Sequence, residues 1–173
     1  MLKVMVVSLA VAGVARAEQA GGVMWTAPAE WTAQPERPMR TATYSIPAVK
    51  GDSEPAELAV FYFGEGKGGG VDANVKRWVN QFKKVDGSSL EKEVKPKQEQ
   101  IAGFPVTLVD VKGTYHGGGP MMGPTTPKPG FRLIGAIVEN PNGALFFKLT
   151  GPEKTVNAAE KPLRKMLEGL QKK

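Results

Sequence analysis

Two glycine-rich segments of the sequence have the spacing of nucleotide-binding or catalytic motifs. The first, residues 64–69, reads Gly-Glu-Gly-Lys-Gly-Gly and satisfies the G-x-G-x-x-G pattern of dinucleotide-binding loops. Such a loop acts inside a parallel strand-helix-strand unit that carries an acidic residue on its next strand. The later segment 91–100 is instead polar and contains Pro96. The sequence therefore favours a flexible connection between a strand and a helix over a nucleotide site.

The second segment, His116-Gly117-Gly118-Gly119, matches the oxyanion loop of some esterases. Esterases of this kind also need a G-x-S-x-G turn for the nucleophile and a histidine that acts as the base. The chain contains no G-x-S-x-G sequence, and His116 is its only histidine. With that histidine already placed in the oxyanion loop, no base remains, and the sequence excludes an esterase of this type.

Metal binding is a further possible chemistry for His116. A single histidine cannot build a typical catalytic zinc site, although carboxylates could in principle complete one. His116, Met121 and Met122 offer one imidazole and two thioether groups, a combination suited to Cu(I). The alternative is that both methionines cover apolar surface in a loop. These three residues are the metal-ligand candidates of the chain, and copper binding stays open as a hypothesis.

Paired carboxylates are the last chemical signal. Glu54 with Glu57, and Glu91 with Glu93, have short spacings, but basic and polar residues surround them. Nothing marks either pair as buried enough for a shifted pKa, so we expect ordinary solvated charges. The sequence assigns no catalytic residue and no cofactor-binding residue, and we expect no cofactor.

Hydrophobic periodicity predicts the elements of the first half of the chain. Residues 40–46 alternate apolar and polar side chains, which is typical of a strand with one solvated face. Residues 58–63 are apolar on both alternating sets, so we expect a central strand with both faces covered. Apolar residues then recur at helical spacing from Val71 to Phe82, and Trp78 and Phe82 are expected to anchor this helix in the core.

The second half of the chain predicts further strands and one more helix. Residues 91–100 are expected at a sheet edge, and residues 113–130 as a long surface loop that follows a strand. An Asn142-Gly143 pair between two apolar runs predicts a hairpin. A final helix carries an apolar stripe, and Pro162 either kinks it or opens its main part. The fold class is α+β: a mostly antiparallel sheet of about six or seven strands between two main helices.

The N-terminus has the organisation of a secretory signal peptide. A short basic start is followed by an apolar run and the triplet Ala15-Arg16-Ala17, so we expect cleavage after Ala17. The apolar run is shorter than the roughly 20 residues that span a bilayer, and no later stretch is long enough. We therefore expect a signal peptide over residues 1–17 and a single domain over residues 18–173, located in a periplasm or secreted, without a transmembrane segment after cleavage.

Composition restricts the partners of this domain. The chain has no cysteine, so its stability must come from packing rather than disulfides. The net charge of +6 for the whole chain falls to +4 without Lys3 and Arg16 of the expected signal peptide, which is only mildly basic, and the basic residues are scattered among acidic ones instead of forming a stripe with interleaved aromatic residues. We therefore expect no nucleic-acid partner.

The sequence resembles the PsbP-like family, whose members share an α/β/α sandwich with Ran-binding Mog-type proteins. The resemblance covers most of residues 23–171 and is closest to exported bacterial proteins of this type. It rests on the opening Trp25-Thr26-Ala27-Pro28-Ala29-Glu30-Trp31, on the strand at residues 58–63, and on the closing hairpin and helix, with the run Phe146-Phe147-Lys148-Leu149-Thr150-Gly151. The resemblance implies a non-enzymatic binding or accessory module and carries over no catalytic residue. Residues 113–130 lie outside the shared pattern.

These observations together predict an exported binding domain whose partner is another protein or a component of the cell envelope. The loop at residues 113–130 is its expected variable surface. Two alternatives remain open at this point: an enzyme of an unrecognised type, and copper binding through the same loop.

Overall fold

The computed structural model describes residues 17–117 and 126–173. The expected signal peptide, apart from Ala17, lies outside these residues, and so do Met121 and Met122. The elements are, in chain order, Ala17–Ala20 (β1), Val23–Thr26 (β2), Thr32–Ala33 (β3), Ala42–Ile46 (β4), Ala56–Tyr62 (β5), Val71–Val79 (α1), Phe82–Lys83 (β6), Lys97–Ile101 (β7), Phe104–Tyr115 (β8), Lys128–Val138 (β9), Leu145–Pro152 (β10), Glu153–Glu168 (α2) and Gln171–Lys172 (β11).

The described strands form two antiparallel sheets. The large sheet has eight strands in the order β3-β4-β5-β10-β9-β8-β6, and β7 pairs with the first part of β8. The small sheet has three strands in the order β1-β2-β11. The predicted α+β class with a mostly antiparallel sheet is confirmed. The large sheet exceeds the expected number of strands because β3 and β6 have two residues each, too few to show a periodicity.

One face of the large sheet is covered by α2 together with the small sheet. Side chains such as Leu58, Phe147 and Leu149 point to this face and are fully buried, as is Val156 of α2. Asp52 caps the start of α2, since its carboxylate accepts hydrogen bonds from the backbone N–H and the hydroxyl of Thr155. The helix begins at Glu153, and Pro162 lies inside it.

The opposite face is covered in part by α1, whose Val75, Trp78 and Val79 pack on β8, β9 and β10. The predicted helix extended to Phe82, but α1 ends at Val79 and Phe82 lies in β6, paired with Tyr115. The prediction was wrong at this end because Phe82 fits the helical spacing, yet its burial comes from pairing with β8.

The connections of the second half differ from the prediction in length. The β9-β10 hairpin is confirmed, and Gly143 has a φ of 109° in its turn, a conformation that favours glycine. The strand β7 is at the edge of the sheet, as expected for the polar segment after Pro96. The predicted loop at residues 113–130 was too long, because β8 continues to Tyr115 and β9 begins at Lys128.

Candidate functional site

Helix α1 is too short to cover its face of the large sheet. Its nine residues extend about 14 Å at roughly 1.5 Å per residue, whereas the seven strands that lie side by side from β3 to β6, spaced about 4.8 Å apart, span roughly 30 Å. Leu58 and Val60, which face α2, are both 0% exposed, but Phe61 and Phe63 on the α1 side are only partly buried. The α1 side of this strand is therefore covered less completely than the α2 side.

The partly covered sheet surface beside α1 is called the open face here. It consists of the α1-side residues of β4, β5 and β10 and of the turn before β4, namely Arg37, Arg40, Thr43, Ser45, Glu57, Phe61, Phe63, Lys148 and Thr150. The strand register sets their order. Ser45, Glu57 and Thr150 form one row across the three strands, and Thr43, Ala59 and Lys148 form the next.

Glu57 is the acidic centre of the open face. Its two carboxylate oxygens accept hydrogen bonds from different arginines, at 3.0 Å from Arg37 and 2.7 Å from Arg40. Arg40 also lies over the ring of Phe61, with its guanidinium carbon 5.8 Å from the ring centre. A cation over an aromatic ring is attracted by the negative face of the ring. Two arginines thus share one carboxylate, and their combined positive charge exceeds its single negative charge.

Lys148 adds a further cation in the adjacent row. Its ammonium donates a hydrogen bond of 2.6 Å to the side-chain oxygen of Gln81 and lies 5.7 Å from the ring centre of Tyr115. Burial, together with a smaller effect of the charge of Arg40, lowers the pKa of Lys148 to about 8, and Glu57 opposes this change. Lys148 is therefore still mainly charged at neutral pH.

Tyr115 ends β8 beside this cluster, just after a register shift between Gly113 and Tyr115. Its ring lies parallel to Phe131 with the centres 5.8 Å apart, and 5.1 Å from the centre of Phe82. Burial raises the pKa of Tyr115, and the negative charge of Glu57 raises it further. The hydroxyl therefore stays protonated over the physiological range and can donate a hydrogen bond.

An open pocket of about 400 Å³ lies at one end of the open face. Its lining residues are Gln34, Arg37, Ser45, Glu54, Pro55, Ala56, Glu57, Tyr115, Lys128, Phe131, Thr150 and Gly151. Lys128 forms an ion pair with Glu54 at its rim. A larger open groove of about 730 Å³ runs along the segment before and through β4 and shares Arg37 with the pocket.

The residues selected from the sequence are not brought together in a single site. His116 is exposed after β8, and its backbone N–H donates to the carbonyl of Gln81. Its two proposed copper partners, Met121 and Met122, lie outside the described residues. Among residues 17–117 and 126–173, no three histidine, cysteine or acidic side chains lie close enough to hold a metal ion.

The four glutamates selected as carboxylate pairs each contact a cation. Glu54 pairs with Lys128, and Glu57 with Arg37 and Arg40, on the open face. The other pair lies elsewhere, where Glu91 contacts Lys76 and Glu93 contacts Lys84. No sequence pattern indicates the role of Glu57, because its arginines come from a turn that only the β4-β5 register places beside it.

The glycine segment at residues 64–69 is organised around Asn74. The amide group of this buried side chain donates hydrogen bonds of 2.9 Å and 3.0 Å to the carbonyl oxygens of Gly68 and Gly70. All strand pairs of the described residues are antiparallel, so the segment does not lie in a parallel strand-helix-strand unit. The connection has a structural explanation in the Asn74 contacts.

Within the part of the chain that the structure describes, no helix combines the length and the apolar character that crossing a bilayer requires.

Comparison with known proteins gives similarity of fold. No protein-family model matches the chain, and no curated protein matches it. The solution structure of cyanobacterial PsbP (CyanoP) from Synechocystis has a TM-score of 0.56 at 9% identity, covering 98% of each chain. LpqN, described as involved in cell envelope biogenesis of Mycobacterium tuberculosis, has a TM-score of 0.54 at 12% identity, covering 86% of this chain and 82% of LpqN.

A protein of unknown function from Pseudomonas aeruginosa has a TM-score of 0.49 at 14% identity, covering 93% of this chain and 99% of that protein. At such identities, likeness extends to the path of the backbone and not to the residues of a site. The chain is thus similar in fold to cyanobacterial PsbP and to LpqN.

Proposed function

We propose that the protein is an exported, non-enzymatic binding domain that associates with another protein or an envelope component through the open face. The observation that carries this proposal is that Phe61 and Phe63 are only partly buried and lie on the same sheet surface as Arg37 and Arg40, which α1 does not fully cover. Aromatic residues and arginine are enriched in protein interfaces and dominate their binding energy.

The shape of the site supports binding rather than catalysis. Enzyme sites commonly enclose the substrate and exclude water, so that a few polar groups act in a medium of low dielectric constant. The pocket of about 400 Å³ and the groove of about 730 Å³ are both open to solvent. The charged groups of the open face are spread over several strands.

The proposal includes export. Residues 1–17 act as a signal peptide that is removed after Ala17, and residues 18–173 remain as one domain in the periplasm or outside the cell. The similarity of fold to LpqN, a protein named for cell envelope biogenesis, supports a role in the envelope. On this view the chain is a divergent, exported member of the PsbP-like group.

Site-specific photocrosslinking in the native host tests the proposal. A photoreactive amino acid replaces Phe63 on the open face or, as the control, Lys161 on the outer surface of α2. We expect a discrete adduct from position 63 that is missing from position 161. The adduct should weaken when Arg40→Gln is added, because this change removes an interface cation. Equal crosslinking from both positions, or none from position 63, contradicts the proposal.

A further inference from the structure

The pocket at the end of the open face contains a buried hydroxyl group without a partner. Thr150 Oγ1 is buried and makes no hydrogen bond within the described residues. Most buried polar side-chain atoms in proteins have a partner, since leaving one unpaired costs free energy. Thr150 lies opposite Glu57 in the sheet and lines the pocket. A ligand atom that accepts a hydrogen bond at this position would satisfy the hydroxyl.

Thr107 provides an internal comparison. It is the other buried hydroxyl without a partner among the described residues, and it lines a smaller pocket of about 180 Å³. The charged residues of that pocket are Glu99 and Glu139, both acidic, whereas the pocket of Thr150 is lined by the cations Arg37 and Lys128 as well as by Glu54 and Glu57. The two threonines therefore share an unpaired hydroxyl but differ in the charge that surrounds it.

Two more hydroxyl groups line the same pocket as Thr150. Ser45 lies in the same row of the sheet, on the other side of Glu57. Tyr115 forms part of the wall, and its protonated hydroxyl can donate a hydrogen bond. Neither hydroxyl makes a side-chain hydrogen bond within the described residues, although other hydroxyl groups such as that of Thr155 do. The pocket therefore contains three potential donors for one ligand.

The charges around the pocket favour an anion. Arg37 and Lys128 line it, and Arg40 and Lys148 lie directly behind Glu57. The acidic lining residues Glu54 and Glu57 balance Arg37 and Lys128, so the excess of two cations comes from Arg40 and Lys148, which lie outside the lining. Arg37 uses one nitrogen for Glu57 and is 49% exposed, which leaves N–H groups for a second carboxylate. A guanidinium group can hold a carboxylate by two parallel hydrogen bonds.

Part of the lining is apolar. Phe131 closes one side of the pocket, and Pro55 and Ala56 lie near the start of β5. An inorganic anion would leave these surfaces in contact with water, while an organic anion would bury them. The lining thus fits a ligand with a charged end and an apolar body.

From these observations we infer that the pocket lined by Arg37, Thr150 and Phe131 binds a small organic carboxylate. The carboxylate lies between Arg37 and Lys128 and accepts a hydrogen bond from the hydroxyl of Thr150, while Ser45 and Tyr115 are further donors of the lining. Its apolar part lies against Phe131 and Pro55. The inference rests on the proposed function, because it specifies the ligand chemistry at one end of the open face.

Titration of the purified, isotope-labelled protein with hexanoate, followed by NMR, tests the inference. Hexanoate joins a carboxylate to a short apolar chain, hexanamide is its neutral analogue, and inorganic phosphate is an anion without an apolar part. We expect saturable shifts of the amide signals of Ser45, Glu57 and Thr150 with hexanoate, and at least tenfold weaker binding of the other two compounds. Equal shifts with hexanamide, or none with hexanoate, overturn the inference.

Two variants with matched controls separate the contacts. Arg37→Gln should weaken hexanoate binding about tenfold, and Thr150→Val should weaken it about fivefold without loss of folding. The controls are Arg164→Gln on α2 and Thr107→Val, which should leave hexanoate binding unchanged. Unchanged binding in Arg37→Gln, or an equal loss in both threonine variants, contradicts the assigned contacts.

The hexanoate titration and the photocrosslinking experiment can fail independently of each other. If position 63 gives its adduct and hexanoate does not bind, the binding domain stands and the carboxylate pocket is wrong. If hexanoate binds as expected and position 63 gives no adduct, the pocket stands and the proposed association with a partner is wrong.

Discussion

The ring of Trp78 lies directly on Gly135, so that a Cβ atom added at this glycine would be 2.3 Å from the ring. Gly135 is in β9 beneath α1, and Trp78 is 5% exposed. The absence of a side chain at residue 135 is therefore what lets the helix approach the sheet.

Replacing Gly135 with alanine should destabilise the protein by about 1–3 kcal/mol, the usual cost of overpacking a core. The backbone and the bulky ring must both shift to accommodate the methyl group. Urea unfolding monitored by circular dichroism measures the change. Gly169→Ala is the matched control, because its added Cβ would be 3.4 Å from the nearest atom. Equal stabilities of the two variants would show that Trp78 can move without cost.

Arg132 joins the sheet to α2 by a buried set of hydrogen bonds. It contacts both carboxylate oxygens of Asp110, at 2.9 Å and 2.6 Å, and also reaches Asn157 and Glu160. Arg132→Met keeps the apolar stem but removes these bonds, and we expect a loss of about 1–3 kcal/mol in unfolding free energy. Hydrogen bonding to Asp110 and Glu160 raises the pKa of Arg132, so its charge persists at every accessible pH.

The control for Arg132 is Arg164→Gln. Arg164 pairs with Glu99 and Glu168, but its side chain is 42% exposed compared with 7% for Arg132. Exposed ion pairs contribute about 0–1 kcal/mol. Chemical denaturation of both variants should therefore show a larger loss for Arg132→Met, and the reverse order would mean that burial does not decide the strength of these pairs.

The pKa of Lys148 should respond in opposite directions to its two charged neighbours. It is about 8 in the folded protein, and Arg40→Gln should raise it because a repelling cation is lost. Glu57→Gln should lower it because the attracting carboxylate is lost. NMR titration of the Cε signal of Lys148 measures the pKa in each of the two variants. Shifts of the same sign would mean that these variants act through a change of structure instead of through charge.

The same pKa sets the sign of the pH dependence of stability. The folded pKa of about 8 lies below the value near 10.4 of an unfolded lysine, so the unfolded state binds the proton more tightly. The contribution of Lys148 to stability is therefore lowest below pH 8 and increases as the pH rises from about 8 to about 10.4. The difference in unfolding free energy between wild type and Lys148→Met across this range isolates the effect.

Processing at Ala17 is the simplest prediction to check. The purified exported protein should begin at Glu18, and intact mass measurement gives this directly. Ala17→Arg should block cleavage, since signal peptidases require a small residue at this position. An N-terminus at Met1 in the wild type contradicts the proposed signal peptide.

The sequence predicted features that depend on local periodicity. The spacing of Val75, Trp78 and Val79 indicated a helix face, and Asn142-Gly143 indicated the hairpin, because both signals lie within a few residues of each other. Gly135 could not be recognised as the contact of Trp78, since the two are far apart along the chain and only the order of strands brings them together. Phe82 was assigned to the helix because its spacing suits helical periodicity.

The open face was not predictable for a related reason. The segment that contains Phe61 and Phe63 has the pattern of a strand buried on both sides. Its sequence cannot indicate how much of one side α1 covers, because this depends on the nine-residue length of α1 and on the eight strands of the sheet. Glu57 looked like a solvated charge because the sequence around it holds no arginine. Its contacts with Arg37 and Arg40 arise from the pairing of β4 with β5.

Both ends of the described chain lie in the small sheet. β1 and β11 flank β2, and the backbone N–H of Lys173 donates to the carbonyl of Gly22. The side chains of Val23 and Trp25 in this sheet pack with α2, on the side of the large sheet away from Phe61 and Phe63. A tether attached at either end would therefore be attached on the α2 side of the large sheet, and Phe61 and Phe63 would lie on the opposite side of that sheet.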